Sequence, residues 1–71
     1  MIDKHFAEFS AHQLTHRGPL TINQLVARFY NAGNTLPGET RAAAHDALEE
    51  TLKSDERFEM NDETKLWMLK T

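Results

Sequence analysis

The N-terminal part of the chain carries apolar residues at helical spacing. Placing residues 2–16 at roughly 100° per residue gathers the bulkier apolar side chains on one face of a predicted helix. That predicted buried face consists of Ile2, Phe6, Phe9, Ser10 and Leu14. Gly18-Pro19 then predicts the end of the first helix, because glycine and proline interrupt helical structure. Leu20 follows as a short apolar link, and the tight connection from Gly18 to Leu20 could supply a short third strand.

The second helix is predicted from its capping residues. Thr21 is a favourable N-cap, and Gln24 three positions later completes a capping box with it. Gly33 suits the left-handed position that follows a helix C terminus, so we expect the helix to end there. The apolar residues between these signals recur at i, i+3, i+4 and i+7, as in an amphipathic helix: Ile22, Leu25, Val26 and Phe29.

A third helix is predicted from Thr40 to Lys53. Pro37-Gly38 and Glu39 precede it, and both proline and an acidic residue favour a helix N terminus. The run itself is rich in alanine and contains no helix breaker. Its predicted buried face consists of Thr40, Ala44, Ala47, Leu48, Thr51 and Leu52.

The C-terminal part of the chain has the pattern of a β-hairpin. Phe58-Glu59-Met60 alternates between apolar and polar, the residues from Asn61 to Thr64 favour a turn, and the run from Lys65 to Lys70 indicates a second strand. The predicted fold class is therefore α+β, a three-helix winged helix-turn-helix with a C-terminal β-hairpin wing. We expect a single winged-helix domain over residues 1–71.

Composition restricts the classes of function. A chain of 71 residues forms one small domain and leaves little room for a buried active site. The absence of cysteine excludes a disulfide framework, a thiolate zinc site and a cysteine nucleophile. No apolar run approaches the ~20 residues that span a bilayer, and the N terminus lacks the pattern of a signal peptide. We therefore expect a cytoplasmic protein that does not associate with membranes.

The C-terminal third also resembles a known family. The segment Leu52-x-x-Asp55-x-Arg57-Phe58, followed by Trp67-x-Leu69, resembles the end of the HARE-HTH family, which includes the N-terminal domain of the delta subunit of bacterial RNA polymerase. Gly18-Pro19-Leu20-Thr21-Ile22 looks like the family's link into its second helix. The chain departs from the family in the wing turn, which usually contains a glycine. The resemblance implies a winged helix that works in bacterial transcription, with RNA polymerase or a regulator as partner.

The same C-terminal residues also have a structural interpretation. Phe58, Trp67 and Leu69 are expected to lie on one side of the hairpin and cover the helices as part of the core. Asp55 and Arg57 are expected either to pair locally or to cap the end of the third helix.

The exposed face of the predicted third helix decides between DNA and a protein as the main partner. That face carries four carboxylates and one amine, in the set Glu39, Ala42, Ala43, Asp46, Glu49, Glu50 and Lys53. Phosphate contacts need lysine and arginine, so the acidic residues would repel a duplex. The chain as a whole carries 11 acidic and 8 basic residues. Arg41, Arg57 and Lys65 could still contact a phosphate backbone, so direct DNA binding remains the alternative.

An apolar strand face could complete a protein-binding surface. If Trp67 and Leu69 face the core, Leu66 and Met68 face outward, unless the first helix or the N terminus covers them. The candidate surface for a protein or nucleic acid therefore comprises Arg41, Ala42, Asp46, Glu49, Lys53, Lys65, Leu66 and Met68. A small adaptor unrelated to transcription is a further alternative.

Histidines form a stripe on the first helix. His5, His12 and His16 fall within one sector, and His12 and His16 have the i, i+4 spacing that can chelate a divalent metal. Two histidines without cysteine make a weak site, so no metal or other cofactor is predicted. Ser10 and Ser54 lack an evident base, and no glycine-rich phosphate loop is present. We therefore expect a protein without enzymatic activity.

Overall fold

The computed structural model describes residues 4–70 and contains three helices and three strands. In chain order they are α1 (Lys4–Arg17), β1 (Leu20–Thr21), α2 (Ile22–Asn31), α3 (Arg41–Lys53), β2 (Phe58–Met60) and β3 (Leu66–Leu69). This order confirms the predicted α+β fold, a three-helix winged helix-turn-helix whose wing is the C-terminal hairpin.

The sheet joins the link between the first two helices to the hairpin. Its strand order is β1-β3-β2, and both pairings are antiparallel. Leu20 lies opposite Trp67 on one side, and Met60 lies opposite Trp67 on the other. The short third strand expected at this connection is confirmed at Leu20–Thr21, and its pairing with β3 holds the hairpin beside the start of α2.

One hydrophobic core holds the helices and the sheet together. Phe6 and Phe29 are almost completely buried, and their rings meet edge to face with centroids 5.0 Å apart. Phe58 and Trp67 are buried as well, which confirms the structural interpretation of both aromatic residues. The whole predicted apolar face of α2 is buried: Ile22, Leu25, Val26 and Phe29.

The local signals at the start and end of α2 are confirmed. The side chain of Thr21 accepts from the backbone N–H of Gln24 at 3.2 Å, and the side chain of Gln24 accepts from the backbone N–H of Thr21 at 3.0 Å. Gly33 follows the helix with a φ of +94°, a conformation that costs glycine little.

Several details of the predicted faces differ in the structure. Thr40 is exposed rather than buried, because it is the N-cap of α3 and its side chain accepts from the backbone N–H of Ala43 at 3.1 Å. Ala47 is only half-buried. In α1, Phe9 is half-buried and Ala7 is buried, while Ile2 lies outside the described residues.

Candidate partner-binding surface

Two adjoining hollows lie where α2, α3 and the wing meet. One, of about 460 Å³, is lined by Thr21, Ile22, Asn23, Glu49, Lys53, Met60 and Lys65. The other, of about 360 Å³, is lined by Asn23, Arg41, Ala42, His45 and Asp46. Asn23 lines both hollows, so they form one continuous surface, which we call the helix–wing surface. Six of the eight predicted surface residues line it: Arg41, Ala42, Asp46, Glu49, Lys53 and Lys65.

Charge is unevenly compensated on the helix–wing surface. Lys53 Nζ lies 3.3 Å from Glu49 Oε1, and Glu49 is half-buried rather than fully exposed as expected. Arg41, Asp46 and Lys65 are exposed and form no ion pair within residues 4–70. Apart from the Lys53–Glu49 pair, the surface therefore carries unpaired charges of both signs and has no continuous basic patch.

The wing turn is organised by Asn61. Its side-chain oxygen accepts from the backbone N–H groups of Glu63 at 2.8 Å and Thr64 at 3.1 Å. The backbone N–H of Lys65 donates to the carbonyl of Asn61 at 2.7 Å. This compact turn puts Lys65 at a φ of 62°, in the left-handed region that favours glycine. Lysine therefore occupies a position at which glycine would be relaxed.

Leu66 and Met68 lie outside the two hollows. Strand pairing places Leu66 opposite Thr21 and Met68 opposite Glu59, on the sheet face that does not carry Trp67. Both side chains are half-buried, so the apolar patch is smaller than the strand pattern suggested. Within the described chain, the exposed large apolar side chain is Tyr30, with 55% of its surface accessible. Sequence reasoning did not single out Tyr30, because it lies off the apolar stripe of α2.

Asp55 and Arg57 pair locally and do not cap α3. Arg57 Nη2 lies 2.8 Å from Asp55 Oδ2, and its backbone N–H donates to Asp55 Oδ1 at 2.9 Å. The side-chain hydrogen bond from Arg57 is the main cause that lowers the pKa of Asp55 below its usual value. The C-cap of α3 is Ser54, whose backbone N–H bonds the carbonyl of Glu50.

The histidine stripe divides into two parts. His5 Nε2 lies 2.9 Å from Asn34 Oδ1, and its ring lies 5.7 Å from that of Phe29. His12 and His16 lie beside each other with ring centroids 4.3 Å apart. Across residues 4–70, no group of three or more histidine, cysteine or acidic side chains is placed to hold a metal ion.

A third hollow, between α1 and α2, was missed by sequence reasoning. It measures about 340 Å³ and is lined by Phe9, Gln13, Arg17, Arg28, Asn31 and Ala32. Its polar residues come from two helices that are remote in sequence. No spacing rule joins them, so only the packed fold reveals the cluster.

Comparison of the chain with protein-family models, with curated proteins and with solved structures finds no match. None of the described helices is both long and apolar enough to cross a membrane.

Proposed function

We propose that the chain is a non-enzymatic, transcription-associated winged-helix binding module that acts in the cytoplasm mainly through protein contacts. The transcriptional role rests on the resemblance to the HARE-HTH family, and the winged-helix fold is compatible with it. The docking site in this proposal is the helix–wing surface together with the exposed Glu50, which follows Glu49 in α3. RNA polymerase or a transcriptional regulator is the partner.

One observation carries the preference for a protein partner: α3 exposes carboxylates that no described cation neutralises. Asp46 and Glu50 are both exposed and unpaired within residues 4–70. Residues 39–53 contain four acidic and two basic side chains. A DNA phosphate backbone would be repelled by this region, whereas a basic protein surface would be attracted and oriented.

Charge reversal on α3 tests the proposal. The full chain is titrated onto immobilised, purified bacterial RNA polymerase, as wild type and as Asp46→Lys and Glu50→Lys. We expect each reversal to lower the affinity about tenfold, because opposite charges guide and stabilise docking. Glu56→Lys is the matched control, since Glu56 is exposed, lies outside α3 and forms no described ion pair. Absence of binding by the wild type, or equal loss in the control, would contradict the proposal.

Direct DNA binding is the second candidate. It is favoured by Asn23, Lys53 and Lys65, which line one hollow beside the N terminus of α2. A mixed-sequence duplex titrated at low and moderate salt separates the two candidates. We expect affinity no tighter than ordinary non-specific binding, roughly 10⁻⁴ to 10⁻⁶ M at physiological salt. A much tighter, strongly salt-dependent affinity would favour the DNA-binding regulator instead.

A further inference from the structure

Two exposed histidines lie side by side on α1. His12 and His16 are four positions apart, and their ring centroids are 4.3 Å apart. Residues at this spacing on a helix have Cβ atoms about 5–6 Å apart, so both side chains leave the same face. Neither imidazole forms a hydrogen bond or an ion pair within residues 4–70. Their ring nitrogens are therefore available to a ligand from solvent.

The other two histidines are placed differently. His5 Nε2 lies 2.9 Å from Asn34 Oδ1, so this ring nitrogen already has a partner. His5 also lies about two turns of α1 away from His12, beyond the single-turn spacing at which two imidazoles share an ion. His45 is half-buried on α3. In the described chain, His12 and His16 are thus the two histidines that lie together on one helix face.

Imidazole nitrogen restricts the ligand to one class of cation. Neutral imidazole binds zinc, nickel and copper, whereas magnesium and calcium prefer oxygen ligands. Glu8, one turn before His12, is engaged elsewhere, because its Oε1 lies 3.0 Å from Arg57 Nη1. Across residues 4–70 no group of three histidine, cysteine or acidic side chains is placed to hold an ion. The protein therefore offers two nitrogen ligands, and water completes the coordination.

The local charge both favours and opposes a cation at this position. His16 lies in the last turn of α1, and a helix C terminus is equivalent to roughly half a negative charge. Arg17 follows His16, and its positive charge opposes a second cation. Helical spacing turns Arg17 away by about 100° from His16 and about 140° from His12. Binding therefore depends on chelation by the two imidazoles and not on a general negative potential.

We propose that His12 and His16 chelate one divalent transition-metal ion of the imidazole-binding class. The ion binds one ring nitrogen of each residue and clamps the last turns of α1, directly before Gly18 and β1. Because the unfolded chain does not hold two imidazoles at this spacing, a bound ion stabilises the folded state. His12 and His16 line neither hollow of the helix–wing surface, so the site does not depend on the proposed function.

Titration of the full chain with zinc chloride, followed by calorimetry and by NMR of the histidine rings, tests the site. We expect one zinc ion per chain, with ring shifts at His12 and His16 and none with magnesium chloride. His12→Gln and His16→Gln should each lower the zinc affinity about a hundredfold, because a single imidazole lacks the intramolecular second contact. His5→Gln removes an imidazole from the same helix and should leave the affinity within about twofold.

The double variant His16→Gln/Arg17→His separates chelation from the number of histidines. It keeps four histidines and removes the positive charge that opposes a cation, but it sets the two rings about 140° apart on the helix. We expect this variant to bind zinc as weakly as His12→Gln does.

Thermal unfolding gives a readout that does not depend on ring shifts. Zinc at ten times its Kd should raise the ratio of folded to unfolded wild type about elevenfold, which corresponds to a rise of about 5–10 °C in Tm. The double variant should show no such rise at the same zinc concentration. Equal zinc affinity in the wild type and the double variant, or ring shifts confined to His5 and His45, would overturn the proposal.

Discussion

Arg57 and Glu8 connect the first helix to the start of the wing. Arg57 Nη1 lies 3.0 Å from Glu8 Oε1, while Nη2 of the same guanidinium lies 2.8 Å from Asp55 Oδ2. The guanidinium also lies 5.4 Å from the ring centre of the buried Phe58. One side chain thus joins α1, the segment after α3 and β2. Since Arg57 and Glu8 are exposed and Asp55 is only half-buried, solvent limits each ion pair to a modest contribution.

Replacement of Asp55 by asparagine should destabilise the fold in a pH-dependent way. Hydrogen bonding from Arg57 lowers the pKa of Asp55, so the charged form stabilises the folded state. This stabilisation is present above the unfolded pKa and is lost as the pH falls through the lower, folded pKa. We expect Asp55→Asn to reduce the free energy of unfolding by less than about 1 kcal/mol at pH 7. Urea unfolding at pH 7 and pH 2.5 measures the difference.

The control for this prediction is Glu56→Gln, which removes an exposed carboxylate without a described ion pair. It should have little effect at either pH. An equal loss for Asp55→Asn at both pH values would show that the charge of Asp55 is not the cause.

Replacement of Ser10 by alanine should stabilise the protein. Ser10 is completely buried in α1, and its Oγ has no hydrogen-bond partner in the described part of the chain. Removing an unsatisfied buried hydroxyl recovers about 1 kcal/mol, which corresponds to roughly 4–8 °C in a domain of this size. Thermal unfolding followed by circular dichroism measures the shift.

Thr15→Ala controls for helix propensity in that experiment. Thr15 is exposed in the same helix, and its hydroxyl already donates to the carbonyl of Ala11 at 2.8 Å. A rise in Tm for Ser10→Ala that is no larger than the rise for Thr15→Ala would contradict the assigned cost of the buried hydroxyl.

The sequence predicts the elements of this fold better than their contacts. Capping at Thr21 and the left-handed Gly33 depend on neighbours within a few residues, so short-range patterns locate them. Helical spacing placed Thr40 on the buried face, because a periodic pattern does not distinguish a helix N-cap from an interior position. In the structure Thr40 is the N-cap, and its side chain accepts a hydrogen bond from the backbone N–H of Ala43.

The candidate sites show the same limit. The α3 residues of the helix–wing surface lie on one face of the helix, so helical spacing alone predicts most of them. The hollow with Arg17 and Arg28 depends on how α1 packs on α2. The partial burial of Leu66 and Met68 also depends on neighbours outside their strand. A periodic pattern shows which residues share a face of one helix or strand, but it does not show which other element packs against that face.

Loss of the α2 capping box should lower the free energy of unfolding by more than the loss of an exposed hydroxyl elsewhere. Thr21→Ala leaves the backbone N–H of Gln24 without its side-chain acceptor, and Thr21 also pairs with Leu66 in the sheet. We expect a loss of about 1 kcal/mol in the free energy of unfolding, within the range for N-cap substitutions. Thr21→Ser is the control, because serine preserves the acceptor oxygen. Urea unfolding should therefore rank serine close to wild type and alanine well below it.

Replacement of Lys65 by glycine should stabilise the wing. Lys65 has a φ of 62°, and a side chain in this left-handed conformation costs roughly 1–2 kcal/mol. Glycine adopts the conformation without this penalty but loses more chain entropy on folding, so we expect a net gain of about 0.5 kcal/mol. The hydrogen bond from the backbone N–H to Asn61 is retained. Lys65→Ala is the matched control, because it removes the ammonium group but keeps the strained backbone. If urea unfolding shows that the glycine variant is no more stable than the alanine variant, the left-handed turn at Lys65 carries no strain to release.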